Sequence, residues 1–433
     1  MRIESAGPLK GKIVLPGDKS ISHRAAMFAA MASGQSRIEN YAASEDCAST
    51  LGCLSALGVK IGRDGSAVTI DGVGGNGFIR PSSDLDCGNS GTTMRLMAGI
   101  LAGAGVECVM TGDASLSKRP MRRVVDPLTE MGAGIETEDG HAPLQIKGGK
   151  KLTGIEYKLP VASAQVKSCV LLAGLNAEGT TTVIESAPTR DHTERMLEQF
   201  GVSVGTETDG ATRRISVNGG SLLKGASLRV PGDISAAAFF LVAGAIIEGS
   251  QLYLPFVGLN PTRAAVLDVL RQAGAKMSIT EHDTGKGEPV GDIEIEGSGT
   301  AGLTKARIVI EGDVVANLVD EVPILAILGT QLEGGLEVRD AAELRVKETD
   351  RIDAVVKNLR KMGADIEERE DGFLVRRSLL QGAEVDSFGD HRIAMAFAVA
   401  GLVAEGVTEI HDAECAAVSF PDFFEQLAAV RTQ

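Results

Sequence analysis

At 433 residues, 43% hydrophobic and 23% charged, the chain has ordinary globular composition and exceeds the size at which one hydrophobic core stops growing, so two or more domains are expected. A formal charge of −15 disfavours non-specific attraction to nucleic acid or an anionic membrane, and the absence of Trp, with only 3% aromatic residues, leaves little for bases to stack on. The six cysteines (Cys47, Cys53, Cys87, Cys108, Cys169 and Cys415) form no CxxC pair and no close Cys/His spacing, so reduced thiols are expected rather than zinc or a disulfide framework.

The opening "MRIESAGPLKGKIVL" has no signal-peptide pattern, and apolar runs such as "AAAFFLVAGAII" are too short to span a bilayer; a soluble, cytoplasmic protein is expected. In chain order, a two-helix unit of about seventy to eighty residues then recurs. Each unit begins with a helix that is apolar nearly all round, the mark of burial: "AAMFAAMA", "TTMRLMAGILAG", "VKSCVLLAGL", "AAAFFLVAGAI", "VPILAILG" and "RIAMAFAVAGLVA". Amphipathic segments follow the first five, in "STLGCLSAL", "MRRVVDPLTEM", "HTERMLEQF", "PTRAAVLDVLRQA" and "TDRIDAVVKNLRKM". The last puts Ile352, Val355, Val356, Leu359 and Met362 on one face.

Each amphipathic helix runs into a helix-end, Gly-cap, strand phrase: "ALGVKI", "EMGAGIE", "QFGVSV", "QAGAKMS" and "KMGADIE". The sixth unit closes with "FPDFFEQLAAV" instead. β-Branched segments such as "TTTVIES", "QLYLPF" and "GVTEIHD" read as short strands. Six units divide into two domains of three, with the seam near "LRVPGDIS", which resembles the opening "IVLPGDKS". The expected division is residues 19–229 as one domain and 1–18 plus 230–433 as the other, with hinge strands near 14–19 and 228–233.

Polar clusters precede the buried helices: Lys19/Ser20/Ser22/Arg24, Asn89/Ser90/Gly91/Thr92, Ser163/Gln165/Lys167, Asp233/Ser235, Asp320/Glu321 and Asp390/His391/Arg392. Ser, Asn and Asp there serve as ordinary N-caps, and for any one cluster that is the better reading. Lys19, Arg24 and Arg392 do not fit it, because cations oppose the dipole at a helix start; several converging starts bearing cations suit a bound anion. "LSKRPM", "TRDHTER" and "RVKETDR" add charged loop-to-helix junctions, the last with Thr349 as an expected N-cap. Asp18 intervenes where a P-loop needs Gly directly before Lys, no GxGxxG follows an early strand, and no GxSxG elbow occurs.

In order along the whole chain, "LPGDKSISHR", "GNSGTTMRL", "KRPM", "SAQVKS", "RVKETDR", "GDHRIAMA" and "SFPDFFEQL" resemble the 5-enolpyruvylshikimate-3-phosphate synthase family. The resemblance implies an α/β (α+β) fold: a two-domain inside-out α/β barrel, each domain three βαβαββ-type repeats with buried helices and outward sheets. It implies a transferase that moves the enolpyruvyl group of phosphoenolpyruvate to the 5-hydroxyl of shikimate 3-phosphate without metal or organic cofactor. Both partners are small anions, so a pocket rich in Lys and Arg is required; neither nucleic acid nor membrane is implied, and a monomer is the default.

Carried over by motif, Lys19, Ser20, Arg24, Ser163, Ala164, Gln165, Thr189, Asp320 and Lys347 would hold shikimate 3-phosphate. Lys19, Gly91, Arg119, Gln165, Arg351, His391 and Arg392 would contact phosphoenolpyruvate, and Lys19, Asp320 and Glu348 are the acid and base candidates. Ligands engaging both domains are expected to draw them together.

Three positions depart from the pattern of one branch of the family. Val418 stands in for a lysine, Glu343 for an asparagine four residues before Lys347, and Ala164 for a second serine. Gly91 keeps the small residue that the inhibitor glyphosate requires. The related transferase acting on UDP-N-acetylglucosamine usually carries a cysteine where this chain has Ala114. A non-enzymatic repeat scaffold would leave the cations at the helix starts without a purpose.

Overall fold

In a computed structural model, which describes residues 1–285 and 287–431, the chain divides into two compact units. One comprises Gly17–Val230 and Gly285–Glu288; the other comprises Met1–Pro16, Pro231–Thr284 and Pro289–Gln433. The first crossing thus lies two residues ahead of the boundary drawn from sequence. Asp18 caps the first helix by accepting from the Ile21 N–H at 2.9 Å, and a Cβ on Gly17 would sit 1.9 Å from the Asn40 carbonyl oxygen, so both residues belong with that helix.

Among the described residues, twelve α-helices alternate between buried and amphipathic. They are α1 (Lys19–Met31), α2 (Glu45–Ala56), α3 (Gly91–Ala104), α4 (Arg122–Glu130), α5 (Ala164–Gly174) and α6 (His192–Gln199) in the first unit. The second unit has α7 (Ile234–Ile246), α8 (Ala265–Gln272), α9 (Val322–Gln331), α10 (Arg351–Lys361), α11 (His391–Val403) and α12 (Phe423–Ala429). The six all-apolar segments are the odd-numbered helices, and α7 and α9 are buried along their whole lengths. Small residues permit such close packing: a Cβ on Gly99 in α3 would lie 2.2 Å from the Cys169 carbonyl oxygen in α5.

The recurring Gly-cap phrase is one turn made five times. Gly58, Gly132, Gly201, Gly274 and Gly363 all have φ between 79° and 100°, where a side chain would be strained. In each case the next residue's N–H closes back on a leucine carbonyl: Val59 to Leu54, Ala133 to Leu128, Val202 to Leu197, Ala275 to Leu270 and Ala364 to Leu359. That is the six-to-one bond of a Schellman motif, which satisfies an orphan helix carbonyl and turns the chain into a strand. The sixth unit lacks the glycine; α12 is held by Phe423, whose ring centroid lies 5.4 Å from that of Phe240.

The sheets repeat as well. In the first unit Ser33–Glu39 pairs parallel with Ser227–Arg229 and antiparallel with Ala67–Val73, which pairs antiparallel with Lys60–Asp64. The same order recurs around Cys108–Thr111 and Thr180–Glu185, and in the second unit around Gln251–Gly258 and Leu336–Val338. The sheet around Val407–His411 is the exception, with three strands. The N-terminal segment completes two sheets of its unit: Arg2–Glu4 pairs with Val407–His411, and Lys10–Lys12 with Gln251–Gly258. Each unit keeps its own core, and Ile3, Leu9, Ile13 and Leu15 fall in that of the second.

Candidate active site

In the first unit, side-chain bonds tie the starts of the three buried helices together. Arg24 of α1 donates from Nη2 to Ser168 Oγ of α5 at 2.9 Å and from Nε to Thr193 Oγ1 of α6 at 2.8 Å. Gln165 of α5 donates to Thr92 Oγ1 of α3 at 3.0 Å. α1 and α3 are joined through α2, as His23 Nδ1 meets Thr50 Oγ1 and Thr50 meets Thr93 Oγ1, each at 2.7 Å. Asp18, Ser90 and Ser163 cap the three starts, which leaves the remaining first-turn N–H groups and the positive dipole ends on one side of the unit.

Four cations belong to this side. Lys19 Nζ lies 2.9 Å from Asp46 Oδ2. Arg24 is buried, and burial pulls its guanidinium down to about 10, a loss that Glu194 opposes; it remains a cation at neutral pH. Arg119 donates to the Asn89 side-chain oxygen at 2.6 Å and to Ser115 Oγ at 3.2 Å. Arg95 donates to Gln165 Oε1 at 2.7 Å, and a Cβ on Gly91 would come within 2.8 Å of its Nη1 and 3.6 Å of Arg119 Nη1, so Gly91 keeps the space beside both guanidinium groups open. Ser20 and Ala164 lie in the first turns of α1 and α5, with the Ser20 carbonyl accepting from Arg24 at 3.0 Å. Thr189 donates from Oγ1 to Glu185 Oε2 at 2.7 Å.

The second unit repeats the arrangement with arginines around carboxylates. Ser235 of α7 donates to Glu321, which precedes α9, and Arg392 of α11 lies 3.4 Å from Asp320. Asp390 caps α11 through the Arg392 N–H at 2.8 Å and accepts from Arg351 Nε of α10 at 2.8 Å. Arg351 also donates to Asp320 at 3.2 Å and to Glu348 at 2.7 Å. Burial alone would lower the Arg351 guanidinium, but Asp390, Glu348 and Asp320 outweigh it and hold the group above its ordinary range. Asp320 is therefore ringed by three guanidinium groups, the third being Arg263 at 3.3 Å, which also donates to Ser235 at 2.7 Å. Burial pushes the Glu321 carboxyl up, with Arg263 opposing and Asp320 adding to the shift. His391 is the buried first residue of α11.

One detail differs from expectation. Thr349 does not cap α10; Asp350 does, accepting from the Asp353 N–H at 3.0 Å while also receiving Arg345, because its carboxylate can serve both donors at once. Glu343, one of the three departures from the family pattern, accepts from Lys347 Nζ at 2.6 Å, four residues on.

The sequence-derived residues thus fall into two sets, one on each unit. Sequence reasoning missed Arg95, Arg263 and Asp46. Arg95 carried a usable signal, being the lone charge within an otherwise apolar run, "TTMRLMAGILAG". Arg263 reads as an ordinary polar residue within the amphipathic segment "PTRAAVLDVLRQA", and only the fold brings it to Asp320.

Known proteins resemble this chain over nearly its whole length. Residues 3–427 match the family model described as EPSP synthase (3-phosphoshikimate 1-carboxyvinyltransferase). A curated 3-phosphoshikimate 1-carboxyvinyltransferase of Bacillus velezensis is 51% identical over 99% of this chain and 98% of its own length. One of Shouchella clausii is 52% identical over 98% of this chain and 97% of its own. A solved EPSP synthase structure from Acinetobacter baumannii superposes with a TM-score of 0.89 at 46% identity, covering 99% of this chain and 98% of that one. With the motifs, the paired sets of helix starts and whole-length similarity in agreement, the chain belongs to the EPSP synthase family.

Proposed function

We propose that the chain transfers the enolpyruvyl group of phosphoenolpyruvate to the 5-hydroxyl of shikimate 3-phosphate, releasing phosphate, in the shikimate pathway to aromatic amino acids. The observation that carries the reading is the pairing of tied, cation-bearing helix starts with whole-length membership of this family. Each substrate carries a phosphate and a carboxylate, and cations held by hydrogen bonds in partly dry surroundings recognise such groups strongly.

In this reading Lys19, Ser20, Arg24, Ser163, Ala164, Gln165, Thr189, Asp320 and Lys347 hold shikimate 3-phosphate. Lys19, Gly91, Arg119, Gln165, Arg351, His391 and Arg392 hold phosphoenolpyruvate, and Arg95, hydrogen-bonded to Gln165, joins them. In the addition step the 5-hydroxyl gives its proton to a base as its oxygen bonds to C2 of phosphoenolpyruvate, while C3 gains a proton from an acid. In the elimination step the C2–O bond to phosphate breaks and C3 gives a proton back. Lys19, Asp320 and Glu348 supply the acid and base roles, and the arginines stabilise charge that develops on the adduct. Asp320 stands within ion-pair distance of Arg263, Arg351 and Arg392, which places it among the same cations that would meet the substrate anions. The chemistry calls on no metal or organic cofactor.

We take the active species to be a monomer of the cytoplasm. Among the described residues no helix is long and apolar enough to cross a membrane. The test is phosphate release from phosphoenolpyruvate with either of two acceptors. Release with shikimate 3-phosphate and none with UDP-N-acetylglucosamine is expected; release with the UDP-sugar alone would overturn the assignment.

A further inference from the structure

Behind Arg24 lies a buried ion cluster that the chemistry above does not use. Lys167, fully buried in α5, places Nζ 2.7 Å from Glu194 Oε1 and 3.1 Å from Glu185 Oε2. Glu185 is fully buried too; it accepts from the Thr189 N–H at 3.2 Å and hydroxyl at 2.7 Å, and lies 3.3 Å from Arg213. Arg24 is bonded differently. Its hydrogen bonds among the described residues go to the Ser168 and Thr193 hydroxyls and the Ser20 carbonyl, and none to a carboxylate. Yet Glu194, next in sequence to Thr193, is near enough to act on Arg24 through its charge. A fully buried lysine in the first turn of a helix, where the dipole disfavours a cation, is costly unless something requires it.

We propose that Lys167 is a positioning residue for substrate recognition: it engages Glu194 and Glu185, so that Arg24 keeps its charge for an anionic group of the substrate and Thr189 is held in place. Without Lys167, the Glu194 carboxylate is left in a dry site with Arg24 and Arg195 as the cations its charge reaches, and Arg195 is already engaged by Asp191 at 2.9 Å. Glu194 and Arg24 pair, and an incoming anion must then displace a carboxylate. Glu185 loses its lysine at the same time and holds Thr189 less firmly.

The inference rests on the assignment of shikimate 3-phosphate as the substrate of Arg24, and the experiment separates the two. Steady-state kinetics are measured for the wild type, Lys167→Met, Lys167→Arg and the double variant Lys167→Met/Glu194→Gln, with folding checked by far-ultraviolet circular dichroism. A wild type inactive with shikimate 3-phosphate refutes the assignment of function, whatever the variants do. With an active wild type, Lys167→Met should raise KM for shikimate 3-phosphate about tenfold or more while KM for phosphoenolpyruvate and kcat move less than about threefold. Lys167→Arg should retain most of the affinity, and the double variant, lacking the competing carboxylate, should recover at least about half of the loss on a logarithmic scale. A Lys167→Met protein with unchanged KM, or with kcat and both KM values damaged alike, overturns the proposal. Should Lys167→Met fail to fold, the double variant decides: KM for shikimate 3-phosphate within about threefold of wild type supports the proposal, and a rise beyond about tenfold refutes it.

Discussion

Arg351→Met tests whether the buried guanidinium is part of the fold as well as of the chemistry. Arg351 is 2% exposed and Asp390, its partner at 2.8 Å, is fully buried. Of its two other carboxylate partners, Asp320 keeps Arg263 and Arg392, and Glu348, about a third exposed, can turn to water. Asp390 has no such recourse: one of its oxygens still caps α11, but the other loses its cation in a dry site. Breaking a buried pair from one side costs about 3–5 kcal/mol, whereas losing the more exposed Glu348 contact adds about 0–1 kcal/mol. Together, about 3–6 kcal/mol for a unit of this size corresponds to a fall of roughly 6–24 °C in the melting transition of the second unit. Differential scanning calorimetry suits the measurement, because the chain has no Trp for a fluorescence probe. Arg351→Met/Asp390→Asn should regain much of the stability, since the stranded charge is gone, yet remain at least about 100-fold down in kcat/KM because the substrate contact is still missing. An Arg351→Met protein that melts within about 2 °C of the wild type would show that Asp390 does not depend on Arg351 and refute the reasoning.

Lys19→Met should abolish nearly all turnover while changing stability by less than about 1 kcal/mol, since its ion pair with Asp46 is partly exposed; activity within a few-fold of wild type would remove Lys19 from the site. His23 predicts an acid-side loss of stability. Burial, the largest influence, holds its imidazole down to about 3 against an ordinary 6.5. The unfolded chain therefore binds the proton first, and stability falls as pH drops from about 6.5 towards 3, by about 2 kcal/mol at pH 5 from this group alone. Chemical denaturation of His23→Gln across that range should show a shallower fall, and an unchanged slope would mean that His23 takes up its proton in the folded state.

Much of the architecture was legible because it rests on local rules. An all-apolar helix has to be buried wherever it occurs, and a glycine after an amphipathic helix closes the same turn five times regardless of what packs on it. The face of α10 read from its periodicity, Ile352, Val355, Val356, Leu359 and Met362, is buried throughout. The cations at helix starts were legible for a related reason: Lys19 and Arg392 contradict the local electrostatics of a cap, and such contradictions mark sites.

What sequence could not supply were pairings between residues distant in the chain. Ser235 meets Glu321, Arg263 meets Asp320, and Arg24 reaches Ser168 and Thr193, because three helix starts separated by dozens of residues are held side by side. Lys167 shows the difference most plainly. In sequence it reads as one more polar residue at the start of a helix; in the fold it is fully buried between two carboxylates, beside an arginine that among the described residues hydrogen-bonds to none. The sequence by itself determined which segments are helices, which of them are buried and where charge is out of place, since each depends on neighbours within a few residues. Only the tertiary structure decided which carboxylate each cation answers, because ion pairing in a dry interior depends on distances that the chain sets through its packing and not through its order.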